Sequence, residues 1–124
     1  MNAEDIRTYC LNKPGAVVNY PFGAEPACFR VCNKIFAELY LSPDRHWVTL
    51  KCEPMRADFY RQQYPGIVVR GYHCPSTQQP YHNTISFDRM ETATLVEMID
   101  HAYDRVVQGL TRRARAELEA SLCP

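Results

Sequence analysis

The sequence predicts an α+β fold, a short antiparallel sheet in the middle of the chain with helices at both ends. Three observations carry this. Short runs of β-branched and aromatic residues, broken by Pro, Gly, Asn and Asp, fill residues 17–52 and recur at 67–72 and 83–87. Leu95, Met98, Ile99, Ala102, Tyr103, Val106 and Leu110 form one apolar stripe at helical spacing. A chain of 124 residues with 46% hydrophobic and 23% charged residues suits one core, so a single domain over residues 1–124 is expected.

The first helix is expected over residues 3–12. Asn2 is a good N-cap, Glu4 and Asp5 complement the positive helix end, and Lys13-Pro14-Gly15 stops the helix. Residues 17–20 form a short strand ending at the turn Pro21-Phe22-Gly23. Residues 27–32 and 35–41 flank Asn33-Lys34 and read as a hairpin around that two-residue turn. After the turn Ser42-Pro43-Asp44, residues 47–52 complete a meander of at least three antiparallel strands.

Alternation along these strands suggests one buried and one more open sheet face. The simple register pairs Cys32 with Ile35 and Arg30 with Ala37, and gathers Phe29, Val31 and Phe36 on the core face. Glu38 then falls on the core side as well. A shifted register, a bulge, or an edge position for Glu38 would each relieve the conflict.

A second helix starts near Pro54, which is suited to the first helical position, and presents Met55, Phe59 and Gln63 along one face before Tyr64-Pro65-Gly66. Residues 67–72 are extended, 73–81 are a Pro-, Ser- and Gln-rich loop, and 83–87 are a last strand. The third helix is capped by Thr92 and runs to about residue 110. Thr111 caps a final helix over residues 112–122.

Fourteen Lys and Arg balance fourteen Asp and Glu, which counts against a uniformly basic nucleic-acid binder but leaves room for a local patch. Residues 1–5 have neither the basic nor the apolar region of a secretion signal, and no apolar run reaches the length of a membrane span. A cytoplasmic protein, without membrane contact and with six reduced cysteines, is expected.

Cys28 and Cys32 cannot chelate one metal within a strand, because four residues span about 13 Å and two thiolates on one zinc lie only about 4 Å apart. His73, Cys74 and His82 offer Cys–His chemistry only if folding brings them into hydrogen-bond reach. Glu97 and His101 share a helix face at i,i+4 without the second histidine of a zinc motif, so a solvated face or a backbone-bonded His101 is the simpler reading. Glycine-rich phosphate loops and nucleophile elbows are absent from the sequence. The expectation is a non-enzymatic chain with no catalytic residues, metal or cofactor.

Basic residues lie near aromatics and amides. Arg30, Lys34 and Lys51 belong to the sheet and its turn, Arg70 and Tyr72 precede the loop, and Tyr81, His82 and Asn83 follow it. Such a mixture suits nucleic-acid phosphates and bases. Arg112, Arg113 and Arg115 at a helix start form a second basic cluster.

Several short segments together resemble the MmcQ/YjbR family: Tyr9-Cys10 through Lys13-Pro14-Gly15-Ala16, Tyr20-Pro21-Phe22-Gly23, Phe29-Arg30-Val31, Lys34-Ile35-Phe36-Ala37, Leu50-Lys51-Cys52-Glu53-Pro54, Tyr64-Pro65, Gly71-Tyr72-His73, and Ile99 through Asp104. Where relatives show His-Trp before the last strand, this chain has Tyr81-His82. The resemblance implies a fold like that of CyaY and frataxin, and a DNA-binding role with a double-wing arrangement of hairpins. On that reading Arg30, Lys34, Lys51 and Arg70 contact phosphates of double-stranded DNA, Tyr72 and Asn83 lie near bases, and the protein is a monomer. Eight tyrosines and zero net charge support an alternative, a module binding a protein or small ligand near Tyr20, Phe22, Tyr72 and His101. Iron binding by analogy with frataxin has little support, since the first helix offers only Glu4 and Asp5.

Overall fold

The computed structural model describes residues 1–72 and 74–122. Its order is α1 (Ala3–Leu11), β1 (Val17–Asn19), β2 (Ala27–Val31), β3 (Lys34–Leu39), β4 (Trp47–Lys51), α2 (Pro54–Gln63), β5 (Val68–Arg70), β6 (His82–Ser86), α3 (Thr92–Gln108) and α4 (Arg112–Leu122). All six strands join one antiparallel sheet in the order β1-β2-β3-β4-β6-β5. The α+β expectation and its antiparallel meander hold, and the sheet is wider than the minimum of three strands.

Local chemistry sets the helix starts. Asn2 accepts from the Asp5 N–H at 2.8 Å while Asp5 accepts from the Asn2 N–H at 3.0 Å, a reciprocal cap on α1. Glu53 caps α2 by accepting from the Met55 and Arg56 N–H groups, with Pro54 next to it at the helix start. The cap of α3 differs from expectation. Glu91 occupies that position without a side-chain bond, and Thr92 is already helical.

The hairpin corrects the simple register. Its two turn residues are Cys32 and Asn33, both at positive φ (49° and 66°), and Val31 pairs with Lys34. This is the twist a two-residue hairpin needs, and Asn bears it better than Lys would. Arg30 pairs with Ile35, yet Phe29 pairs with Ala37, so Phe36 is an extra residue in β3. Phe36 and Ala37 are both buried, and Glu38 lands opposite Cys28 and Thr49, away from the core. The conflict at Glu38 is resolved by a register shift and a bulge together.

The core lies between the sheet and α1 and α3. Phe29, Phe36, Leu39, Val48, Leu50 and Ile85 from the strands meet Ile6 of α1 and Leu95 and Ile99 of α3. Phe36 packs edge-on against Tyr103 with ring centroids 5.5 Å apart, a favoured aromatic geometry. The Tyr103 hydroxyl donates to the Pro14 carbonyl at 2.6 Å, which ties α3 to the loop after α1. Lys13 pairs with Asp100, and the Tyr9 hydroxyl donates to the same carboxylate at 2.6 Å, fastening α1 to α3. At Gly15 (φ +72°) a β-carbon would lie 2.5 Å from Leu118 Cδ1, so the absent side chain lets α4 close over this corner.

The face of α2 is the opposite of the one expected. Met55 and Phe59 are 81% and 55% exposed, whereas Ala57 and Tyr60 are buried. The helix is pulled round by Asn83 of β6, whose amide donates to the Ala57 carbonyl and whose oxygen accepts from Arg61.

Asn33 is exposed, so its replacement tests the turn rather than packing. Asn33→Val should cost about 1–2 kcal/mol through the left-handed backbone, while Asn33→Gly should cost nothing. Urea unfolding of the two variants measures the difference.

Candidate functional site

Two places concentrate polar chemistry, one end of the sheet and a groove on the face opposite α3. Antiparallel neighbours alternate direction, so the β2–β3 turn, the end of β4, the start of β6 and the end of β5 all meet at one end. Lys34 opens β3, Lys51 closes β4 and Arg70 closes β5 there. Lys34 and Arg70 stand three strand spacings apart, roughly 14 Å. Helix α2 begins just beyond β4 and brings Arg56, while α3 supplies His101 and Arg105.

Among the described residues, none of Lys34, Lys51, Arg56, Arg70 and Arg105 takes part in an ion pair. Burial, then the charges of Arg105 and Lys34, hold the Lys51 ammonium below its ordinary pKa. The Arg105 Nε is buried with no hydrogen-bond partner. Glu53 and Asp104 are the carboxylates that act on His101, but both Glu53 oxygens are committed to the α2 cap, and those backbone bonds hold it below the ordinary carboxylate pKa.

His101 shows the same excess of donors. The Glu53 N–H donates to its Nε2 at 3.1 Å, and Arg56 Nη1 lies 2.8 Å from its Nδ1. A neutral imidazole has one lone pair and one N–H, so it satisfies one of these donors and turns an N–H toward the other. Burial, then Arg56 and Arg105, lower the His101 pKa against the smaller opposing effects of Glu53 and Asp104, so protonation brings no relief. This end of the sheet has more donors than acceptors and more positive than negative charge.

The residues expected at a nucleic-acid surface therefore separate. Lys34, Lys51 and Arg70 are brought to one end. Arg30 is committed within the hairpin, its Nε donating to Asn19 Oδ1 at 3.0 Å and its Nη1 to the Asn33 carbonyl at 3.2 Å. Asn83 is only 3% exposed and fastens α2 to β6, so its expected place near bases gives way to a structural one. Tyr72 lies in the groove. Sequence reading passes over Arg56 and Arg105. The one signal for Arg105 is its i+4 spacing from His101 on the clearest helix, and nothing in the sequence links either residue to Lys51.

The second sheet face is partly roofed rather than open. By register it carries Cys28, Arg30, Glu38, Thr49, Lys51 and Thr84. The Tyr72 N–H donates to Thr84 Oγ1 at 2.8 Å, and the hydroxyls of Thr84 and Thr49 lie 2.7 Å apart beneath it. Gly71 lets the loop fold back so that Cys74 sits against it, since a β-carbon there would lie 2.6 Å from Cys74 Sγ. Between this loop and the loop bearing Phe22 lies a groove of about 530 Å³, walled by Phe22, Tyr40 and Tyr72, with Glu38 inside it. Of the residues named for a ligand pocket, Phe22 and Tyr72 line this groove. Tyr20 instead accepts from Arg7, and His101 lies at the basic end.

Glu38 makes no hydrogen bond or ion pair among the described residues, and burial raises its carboxyl pKa against the opposing charge of Arg30. Burial, then Glu38 and Tyr72, push the Tyr40 phenol to about 12, so it stays neutral. Glu25 accepts from the Leu41 and Ser42 N–H groups and pairs with Arg45 at 3.4 Å. The Arg45 guanidinium in turn lies 5.6 Å from the Trp47 ring centroid and 5.8 Å from that of Tyr72. Among the described residues no three His, Cys, Asp or Glu side chains are grouped to hold a metal ion, and no helix is long and apolar enough to cross a membrane. His73 and Cys123 lie outside the described residues, so the His73–Cys74 pairing does too; the other five cysteines are free.

Residues 11–105, which include β1 through β6 and most of α3, match the YjbR family model. The chain belongs to the YjbR family. This YjbR chain is 28% identical over 113 residues to the uncharacterised protein YbdF of Escherichia coli O157:H7, covering 89% of the chain and 88% of that protein. It is similar to the crystal structure of Deinococcus radiodurans protein DR2400, a DUF419 domain, at TM-score 0.86 and 26% identity over 95% of this chain and 88% of that one. A protein from Pseudomonas syringae shares the fold at TM-score 0.68 and 19% identity, covering 82% of this chain and 96% of that one.

Glu38 gives this YjbR domain a testable pH signature. A carboxyl whose folded pKa is raised costs nothing while protonated and penalises folding as pH rises through that pKa. Glu38→Gln should therefore be more stable than wild type at pH 7, with the advantage vanishing below the ordinary carboxylate value of 4.5. Urea unfolding of both proteins across this range tests it.

Proposed function

We propose that this YjbR chain is a non-enzymatic DNA-binding protein that holds the phosphates of duplex DNA on the basic end of its sheet. The observation that carries the reading is the gathering of Lys34, Lys51, Arg56, Arg70 and Arg105 without an ion pair among the described residues, in a chain whose overall charge is zero. Balanced composition would scatter paired charges. Segregation of unpaired ones creates a local field that attracts a polyanion.

In this reading Lys34 at the β2–β3 turn and Arg70 at the end of β5 stand on two hairpins, which is how the double-wing arrangement would meet a duplex. Lys51 and Arg105 sit between them. Arg30 acts indirectly by bracing the turn through Asn19 and the Asn33 carbonyl. Contacts of this kind position a protein on the backbone without reading sequence.

Fluorescence anisotropy with a labelled duplex of about 20 base pairs, from about 50 to about 200 mM salt, tests the proposal. Affinity should fall steeply with salt, with a log–log slope of up to about −4.5 if all five cations engage phosphates. Lys34→Gln and Lys51→Gln should each flatten that slope by about 0.9 and weaken binding equally on unrelated sequences. Absence of binding at tens of micromolar in low salt, or affinity indifferent to salt, would sink the reading.

A further inference from the structure

The groove on the second sheet face is separate in chemistry from the basic end and independent of the DNA reading. Its walls are Phe22, Tyr40 and Tyr72, and its volume of about 530 Å³ is within the range of small-ligand sites. Phe22 is 70% exposed and forms the outer wall.

Charge decides what fits. Glu25 is already matched by Arg45 and two backbone N–H groups. Burial lowers the pKa of His82, which leaves that wall neutral near pH 7, and its Nδ1 is engaged with the Gln78 carbonyl at 2.9 Å. Glu38 remains as the carboxylate with no bonded partner among the described residues, and Tyr40 adds a neutral phenol beside it. The groove therefore has one carboxylate without a hydrogen bond or ion pair among the described residues, acted on by the charge of Arg30 and set among aromatic rings. Ring faces attract cations, and the protein already uses two neighbouring rings this way, with Arg45 set over Trp47 and Tyr72.

We propose that the groove binds a small organic cation, an amine carried on an aromatic or branched apolar body, with Glu38 as the anionic anchor and Phe22, Tyr40 and Tyr72 enclosing the apolar part. An inorganic cation would leave the aromatic walls unused, and an anion would face Glu38.

Trp47 is the one tryptophan, and its ring centroid lies 4.8 Å from that of Tyr72, so its fluorescence reports on the groove. Titration with benzylamine, benzyl alcohol and benzoate separates charge from shape. Benzylamine should saturate and bind roughly tenfold more tightly than benzyl alcohol, the increment expected of a charge-assisted bond, with benzoate weakest. Glu38→Gln should bring benzylamine down to the affinity of benzyl alcohol and leave benzyl alcohol unchanged. Phe22→Ala removes an exposed ring and should weaken both ligands while leaving the fold intact. Equal binding of all three probes, a preference for benzoate, failure of any to saturate, or an unchanged benzylamine affinity in Glu38→Gln would overturn the proposal.

Discussion

One extra residue in a β-ladder governs the rest of this structure. Phe36 is inserted between the pairs Arg30–Ile35 and Phe29–Ala37, and every later residue of β3 faces the side opposite to the one an unbulged ladder would give it. The insertion is held by burial, since Phe36 is 1% exposed and packs between Phe29 and Tyr103. Fully burying a side chain of this kind contributes roughly 1.5–3 kcal/mol. An unbulged ladder would put Glu38 in the core, where an unpaired carboxylate is far more costly. Phe36 faces the core with or without the bulge, so it is the cost of Glu38 that decides for the bulge and leaves the hairpin little freedom to slip.

The two candidate regions follow from that register. With Glu38 turned out of the core, the second sheet face receives a carboxylate beneath the loops that carry Phe22 and Tyr72, and the groove gains its polar centre. The antiparallel order then collects the ends of β4 and β5 and the β2–β3 turn at one edge, together with the start of α2. Cations separated along the chain become neighbours there, close enough for Arg105 and Lys34 to lower the Lys51 pKa. Zero net charge hides this arrangement, because a sum over residues says nothing of where they meet.

The two regions place opposite demands on a ligand. The basic end has donors and positive charge in excess, and the groove has one spare carboxylate among rings. Lys34 and Glu38 belong to the same strand but lie in different regions, while Lys51 of the basic end pairs with His82 of the groove lining.

Much of the fold was legible in the sequence. Apolar periodicity marks α3, turn residues mark the strand ends, and Asn2 and Pro54 mark helix starts, because these signals are local and act within a few residues. Family membership was legible too, from the order of short segments such as Tyr20-Pro21-Phe22-Gly23 and Leu50-Lys51-Cys52-Glu53-Pro54. Register was not. The choice between Cys32-Asn33 and Asn33-Lys34 as the turn, and the bulge at Phe36, depend on what the far side of the sheet offers a phenylalanine or a glutamate. The outward face of Met55 and Phe59 likewise depends on Asn83 seizing α2 from β6. Lys34, Lys51 and Arg70 could be named from the chain, but that Arg56 and Arg105 join them, and that Asn83 does not, is settled by long-range packing that no local pattern encodes.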